Sequence, residues 1–341
     1  MSTWNDSELR ALFSHNIPLI DVRAPVEFLE GSVPLSVNLP IMNDEERKAV
    51  GTCYKERGQN AAIELGHQLV SNETKEERVR LWTDFIKANP QSEIFCFRGG
   101  LRSQISCQWI EERGIHKKPI HGGYKRLRTF FLSWLNDAPL PPILRIGGLT
   151  GSGKTKMLHR FRDQIDLENL ANHRGSAFGP KGKQPSQITF ENALAYELML
   201  KHERTIIVED ESSAIGKVVI PKKFFEILRS SPLIVLEIDH EKRLENIFND
   251  YVKNSNLDFF LLNLLKLEKK LGNKKYQTLK AEIEIAFSLP SEMINHANWI
   301  SMLLKEYYDP LYKKDLRFNQ DKVIFKGNEE EVMDYLSSIQ T

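Results

Sequence analysis

Apolar residues in this chain fall into short runs, each closed by charge, glycine or proline, and the runs alternate with stretches spaced for helices. Pro18-Leu19-Ile20-Asp21-Val22-Arg23 predicts a buried strand ending in charge. A helical turn from Pro25 to Glu30 and a turn at Gly31-Ser32-Val33-Pro34 follow it. Glu93 to Phe97 predicts another strand, and Ser103 to Arg113 repeats at helical spacing through Ile105, Trp109 and Ile110. Ile143 to Gly147, Thr205 to Ser212 and Leu233 to Asp239 are apolar runs of strand length. A helix is expected from about Lys154 to Gln164, and most of the chain beyond Asp239 reads as helical. Strands separated by helices predict an α/β protein with doubly wound parallel sheets. The proline-rich break Asn136-Asp137-Ala138-Pro139-Leu140-Pro141-Pro142 divides a first domain, 1–137, from a second, 138–341, whose C-terminal part is helical.

At 341 residues the chain is long for one core, which agrees with two domains. Its 47 basic and 46 acidic residues exclude a chain coated in positive charge, though a local basic face still suffices for nucleic acid. Three cysteines, Cys53, Cys96 and Cys107, show neither metal-site spacing nor an even disulfide set. The start Met1-Ser2-Thr3-Trp4-Asn5-Asp6 has no signal-peptide pattern, and no apolar run is long enough to span a bilayer. A cytoplasmic protein with no membrane partner is expected.

Gly148-Leu149-Thr150-Gly151-Ser152-Gly153-Lys154-Thr155 is a full P-loop pattern after a predicted strand and before a predicted helix. Backbone amides at Gly148, Gly151, Ser152 and Gly153 cradle a diphosphate, Lys154 adds a point charge, and Thr155 offers a hydroxyl to a metal ion. The strand Thr205 to Ser212 ends in Glu209, Asp210 and Glu211. Carboxylates there reach a metal or polarise a water in P-loop proteins, and side-chain alternation allows only one of Glu209 and Asp210 to do so. Asp210 with Thr155 is the candidate pair for Mg2+.

A second anion cradle lies upstream, in Cys96-Phe97-Arg98-Gly99-Gly100-Leu101-Arg102-Ser103. Cys96 closes a strand before a glycine loop and a helix, where amides, the helix dipole and Arg98 or Arg102 favour a thiolate and hold an anion. Cys107, one turn along that helix, and Cys53 read as packing residues. In the polar stretch Asp166 to Gly179, His173 and Arg174 either bind an anion or move a proton, or are surface groups. Gly179 to Gln184 reads as a mobile, positively charged loop. Lys269, Lys270, Lys274 and Lys275, with Lys117, Lys118, Lys125, Arg126 and Arg128, supply charge for a nucleic-acid backbone.

Asp21-Val22-Arg23, Glu27-Phe28, Gly31 to Pro34, Asn38-Leu39-Pro40, the Cys96 loop and His121-Gly122-Gly123-Tyr124 together resemble a rhodanese domain. That resemblance implies a doubly wound sulfur-carrying fold in which Cys96 holds a chalcogen. Five residues separate Cys96 from Arg102, one more than in many sulfur-transferring rhodaneses. The longer loop resembles that of rhodanese-related phosphatases and suits a tetrahedral anion, although those carry His where Phe95 stands here.

With the P-loop, Leu170 to Ser176, Val208 to Ser212 and Tyr307-Tyr308-Asp309-Pro310, nearly the whole chain resembles the bacterial tRNA 2-selenouridine synthases. The resemblance implies a tRNA partner carrying wobble 2-thiouridine and two substrates, geranyl diphosphate and selenophosphate, with no tightly bound cofactor. It implies S-geranylation at the P-loop, then replacement of the S-geranyl group by selenium. Cys96 would accept that selenium, with Arg98, Gly99, Gly100 and Arg102 holding the selenophosphate. An ATP-dependent kinase or NTPase with a rhodanese regulatory domain, and a non-catalytic tRNA-binding protein, are the competing readings.

Overall fold

The computed structural model describes residues 4–253 and 255–339. Met1 to Thr3 of the N-terminal start lie outside these residues. The chain forms two compact units. One comprises Met1–Pro139 with Pro185–Leu200, the other Leu140–Gln184 with Lys201–Thr341.

The first unit is built on three parallel strands, β1 (Leu19–Asp21), β2 (Ser36–Asn38) and β3 (Glu93–Phe95), in the order β2-β1-β3. Ile20 stands opposite Val37 on one side and Ile94 on the other. The chain leaves β1 toward one edge and returns to the other, so the C-terminal ends of β1 and β3 flank a switch point. Ile20, Val22, Trp82, Ile86, Ile94, Cys107, Trp109 and Ile110 pack as its core. The Trp82 indole donates to Leu39 O at 2.8 Å, which satisfies its one polar atom. Helix Asp44–Leu69 starts with a reciprocal cap between Asn43 and Glu46 and is interrupted at Gly58, which takes φ +83°.

Helix Gln187–Leu200 belongs to this first unit, although the division at the proline-rich break assigns it to the second domain. Phe190, Leu194, Ala195, Leu198 and Met199 are all buried. Its polar groups are also committed within the unit. Asn192 donates to Ser32 O at 2.7 Å and accepts from Arg128 at 2.7 Å, and Thr189 Oγ1 accepts from Ser32 N at 3.0 Å. Removing that helix would strand buried polar groups as well as apolar surface.

The second unit carries five parallel strands and a small hairpin. The strands are β4 (Ile143–Gly148), β5 (Gln164–Ile165) and β6 (Ile206–Glu209); then, after the hairpin β7 (Ala214–Ile215) and β8 (Val218–Val219), β9 (Leu233–Leu236) and β10 (Val323–Gly327). The sheet order is β10-β9-β4-β6-β5, so the direction of winding reverses at the central β4. The P-loop leaves β4 at that reversal, the place where open α/β sheets bind ligands. β6 and β9 are buried at every position, as strands covered on both faces require. The helix expected over Lys154 to Gln164 spans only Lys154–Leu158, because Gln164 and Ile165 pair with Ile207 and Val208 as β5. Residues after β9 are largely helical around a separate core that includes Phe260, Leu264, Leu279, Ile283, Trp299 and Ile300. Among the described residues no helix is long and apolar enough to cross a membrane.

Candidate functional site: two anion loops and a buried carboxylate trio

Cys96 follows β3 directly, and helix Leu101–Glu111 begins after the loop with Gly100 as its cap. The Cys96 side chain turns inside the loop. Its Sγ accepts from Ser103 Oγ at 3.2 Å and lies 3.8 Å from Gly100 O. Among the described residues, none of the amides of Phe97, Arg98, Gly99 and Gly100 donates a hydrogen bond to the protein. The loop is held from outside instead. Tyr124 N donates to Cys96 O at 2.8 Å, and Lys125 N to Phe97 O at 3.0 Å. Glycine is required on both sides of this seam. Gly99 sits at φ +69°, where a Cβ would lie 2.7 Å from Ile120 O, and Gly123 at φ +52° faces the Cys96 carbonyl.

Arg102 forks onto Glu27, with Nη1–Oε2 at 2.5 Å and Nη2–Oε1 at 3.2 Å. Burial works against the Arg102 charge, but Glu27, with Cys96 and Asp21 adding, leaves its pKa raised. Arg102 is therefore fixed and permanently charged beside the thiol, with its carboxylate partner behind it. Arg98 is exposed, its guanidinium 5.7 Å from the Phe97 ring centroid. Burial pushes the Cys107 thiol up to about 12, so it stays protonated. A cavity of about 920 Å³ opens beside the loop, with Arg98, Arg102 and Arg47 at one side and Met42, Ile63, Ile105 and Trp109 among its apolar lining.

In the P-loop, Gly148, Gly151 and Gly153 all take positive φ (+154°, +81° and +84°). A Cβ on Gly151 would lie 2.8 Å from the Ile247 side chain, and one on Gly148 would lie 2.8 Å from Leu236 O. Side chains from a later helix hold the loop from behind. Arg243 donates to Thr150 O at 3.0 Å and Asn246 to Gly151 O at 2.9 Å. Asp309 in turn grips Arg243 at 2.6 Å and 3.1 Å. Arg243 and Asn246 lie some 90 residues from the loop they support, too far for any local sequence pattern to mark them, and Asp309 stands out in the sequence only within the Tyr307 to Pro310 motif. Lys154 Nζ donates to Gly148 O at 3.0 Å.

The acidic end of β6 divides as strand alternation requires, but not toward the expected metal pair. Asp210 bonds Arg145 at 2.8 Å and Arg229 at 3.0 Å. Arg145 is fully buried, with its other donors on Ser231 O and Arg229 O, so it needs the Asp210 carboxylate. Asp210 is thus spent on an ion-pair network and does not serve Thr155. Glu209 turns to the other side, where its carboxylate and those of Glu168 and Glu211 lie within 4.8 Å of one another. Glu209 is fully buried, and neither of its oxygens completes a hydrogen bond, although the Thr155 hydroxyl approaches and eases its charge.

Burial raises all three carboxyls; the Glu168 charge adds to the rise at Glu209 and Glu211, and Glu211 adds to that at Glu209. Glu211 reaches about 8 and Glu209 stands well above the ordinary range. A buried, partnerless carboxylate among two others is costly without a cation. The donors are all oxygen, which fits a hard divalent ion such as Mg2+.

His173 is buried, with Nδ1 unbonded, and burial together with Lys266 and Lys181 lowers its pKa. A neutral, enclosed imidazole does not hold an anion by charge. Arg174 stacks 4.8 Å above the Tyr251 ring. Of the basic residues, Arg128 is tied to Glu191 and Asn192, Arg126 to Asp6 and Trp4 O, and Lys117 to the carbonyls of Pro90 and Ser92. Lys275 pairs with Glu306, while Lys269 and Lys274 stand exposed. The basic surface is therefore smaller than the count of lysines and arginines implies.

A central parallel sheet with a P-loop at its switch point defines the second unit as a P-loop α/β domain, joined in one chain to a parallel-sheet unit with an enclosed thiol. The family described as "tRNA 2-selenouridine synthase AAA domain" matches residues 141–341. Over nearly its full length the chain is similar to the tRNA 2-selenouridine synthases of Shewanella halifaxensis (42% identical, 97% of this chain, 98% of that one) and Shewanella denitrificans (44%, 98% and 98%). The synthase of Pseudomonas savastanoi pv. phaseolicola is 42% identical, with 97% of each chain covered. The chain belongs to the tRNA 2-selenouridine synthase family and is an enzyme of it.

Proposed function

We propose that this enzyme converts wobble 2-thiouridine in tRNA to 2-selenouridine in two steps, one at each loop. In the first, the thiocarbonyl sulfur attacks C1 of geranyl diphosphate. The C–S bond forms, the allylic C–O bond breaks, and diphosphate leaves. The P-loop amides and Lys154 take up the charge that develops on the departing diphosphate. Glu168, Glu209 and Glu211, with Thr155, would hold a divalent cation there, which supplies further charge neutralisation when bound.

In the second step selenium from selenophosphate adds at C2 of the nucleoside, the C2–S bond breaks, geranyl thiol departs, and cleavage of the Se–P bond then releases phosphate. The Cys96 loop, with Arg98, Gly99, Gly100 and Arg102, holds the selenophosphate, and the apolar wall of the adjoining cavity suits the departing chain. The observation that carries this reading is the pairing, in one chain of this family, of an enclosed thiol loop with a complete P-loop. Neither a kinase nor a binding module needs both. The test is nucleoside mass spectrometry on thiolated tRNA incubated with the enzyme. S-geranyl product is expected with geranyl diphosphate alone, and 2-selenouridine once selenophosphate is added. Absence of both, with intact tRNA binding, rejects the proposal.

A further inference from the structure

We infer that Cys96 is a phosphoryl acceptor: it removes the phosphate group from selenium and carries it as phosphocysteine, rather than carrying the selenium itself. This rests on the reading above that selenophosphate is the selenium donor.

Four features of the loop point to phosphorus. Cys96 and Arg102 enclose five residues, a ring wide enough for a tetrahedral anion. Among the described residues the amides of Phe97 to Gly100, in the loop the thiol enters, have no partner in the protein, which leaves them available to the equatorial oxygens of a phosphoryl group. Arg102 is locked by its fork onto Glu27 and stays charged beside Sγ, in the place of a phosphate-binding guanidinium. Ser103 Oγ, 3.2 Å from Sγ, can stabilise the sulfur anion when it becomes a leaving group.

Electron balance favours the same atom. In selenophosphate, selenium is at the selenide level and phosphorus is fully oxidised. Moving selenium onto the Cys96 sulfur would form a sulfur–selenium bond and leave phosphorus with an extra electron pair, so the cycle would need an outside oxidant for phosphorus. Attack at phosphorus needs none. Selenium first joins C2 while still bearing its phosphoryl group, and geranyl thiol leaves. The Cys96 thiolate then attacks phosphorus: the S–P bond forms, the Se–P bond breaks, and selenium keeps the bonding pair as the selenolate of 2-selenouridine. A selenolate is a weak base and departs without an acid beside the loop. Water next attacks phosphorus, the S–P bond breaks, phosphate leaves, and the thiolate returns with the released proton going to solvent. No atom changes oxidation state.

The experiment uses the full-length enzyme, S-geranyl tRNA and selenophosphate labelled at phosphorus, with acid quenching at successive times. The peptide containing Cys96 is then analysed for label and for selenium. We expect labelled phosphorus on Cys96 during turnover, none in Cys96→Ala, and severalfold more in Ser103→Ala, where S–P breakdown slows. Selenium without phosphorus on Cys96 overturns the inference. So does 2-selenouridine formed at the normal rate with no label on the peptide, an outcome that leaves the proposed function intact. If the wild type forms no 2-selenouridine, that function fails. The inference is then judged by Cys96-dependent release of p-nitrophenol from p-nitrophenyl phosphate, and turnover that survives in Cys96→Ala, or no turnover, overturns it.

Discussion

In the Cys96 loop the group at the base is a thiol, and the cation beside it, Arg102, is already matched by Glu27. In the P-loop the base is three carboxylates, and Lys154 donates to the carbonyl of Gly148. Both loops leave the C-terminal end of a parallel strand and turn through glycines at positive φ. Their electrostatics are opposed. One pocket is complete for an anion as it stands, whereas the other crowds three buried acidic groups whose charge needs protons or a cation to offset it. The same backbone device therefore serves different chemistry, according to the side chains set behind it.

The largest effects come from removing the group that distinguishes each loop. Cys96→Ala should lower 2-selenouridine formation by on the order of 10^4-fold, with tRNA whose C2 selenium still bears its phosphoryl group accumulating and tRNA affinity unchanged. Normal 2-selenouridine in that variant would dissolve the distinction. Lys154→Ala should slow geranyl transfer by about 10^2- to 10^3-fold while leaving conversion of supplied S-geranyl tRNA intact. Loss of both steps would mean that the loops do not divide the work.

The carboxylate trio gives the P-loop site a pH signature of its own. Glu211 is raised from 4.5 to about 8, so the folded state holds a proton there that the unfolded state has released. A raised folded pKa makes this contribution to stability full below about pH 4.5 and lost as pH climbs toward 8. Divalent cations compete with those protons, so Mg2+ should raise Tm more at pH 8.5 than at pH 6. Thermal scans at both values check this, and Glu209→Gln should weaken the Mg2+ shift. An equal Mg2+ effect at both pH values would show that the trio is not the cation site.

The smallest effects concern the scaffold. Gly123→Ala combines positive φ with a clash against the Cys96 carbonyl and should cost about 1–3 kcal/mol. Gly58→Ala, also at positive φ but with open space around it, should cost roughly 1 kcal/mol. Denaturant unfolding of the two variants compares them, and equal losses would mean that the seam behind the thiol loop is slack.

The amino-acid sequence by itself determined the local devices. Apolar runs marked β1, β3, β4, β6 and β9, and glycines marked both loops, because backbone conformation and strand burial depend on neighbouring residues. Alternation along β6 even required Glu209 and Asp210 to part company. Only the tertiary structure decided which way each went. Arg145 and Arg229 draw Asp210 to one side, and Glu168 and Glu211 meet Glu209 on the other. It also ended the helix after Lys154 at Leu158, sent helix Gln187–Leu200 back to the first unit, and set Arg243 and Asp309 behind the P-loop. These outcomes depend on desolvating charge and apolar surface against partners far away in the chain, which no local pattern encodes.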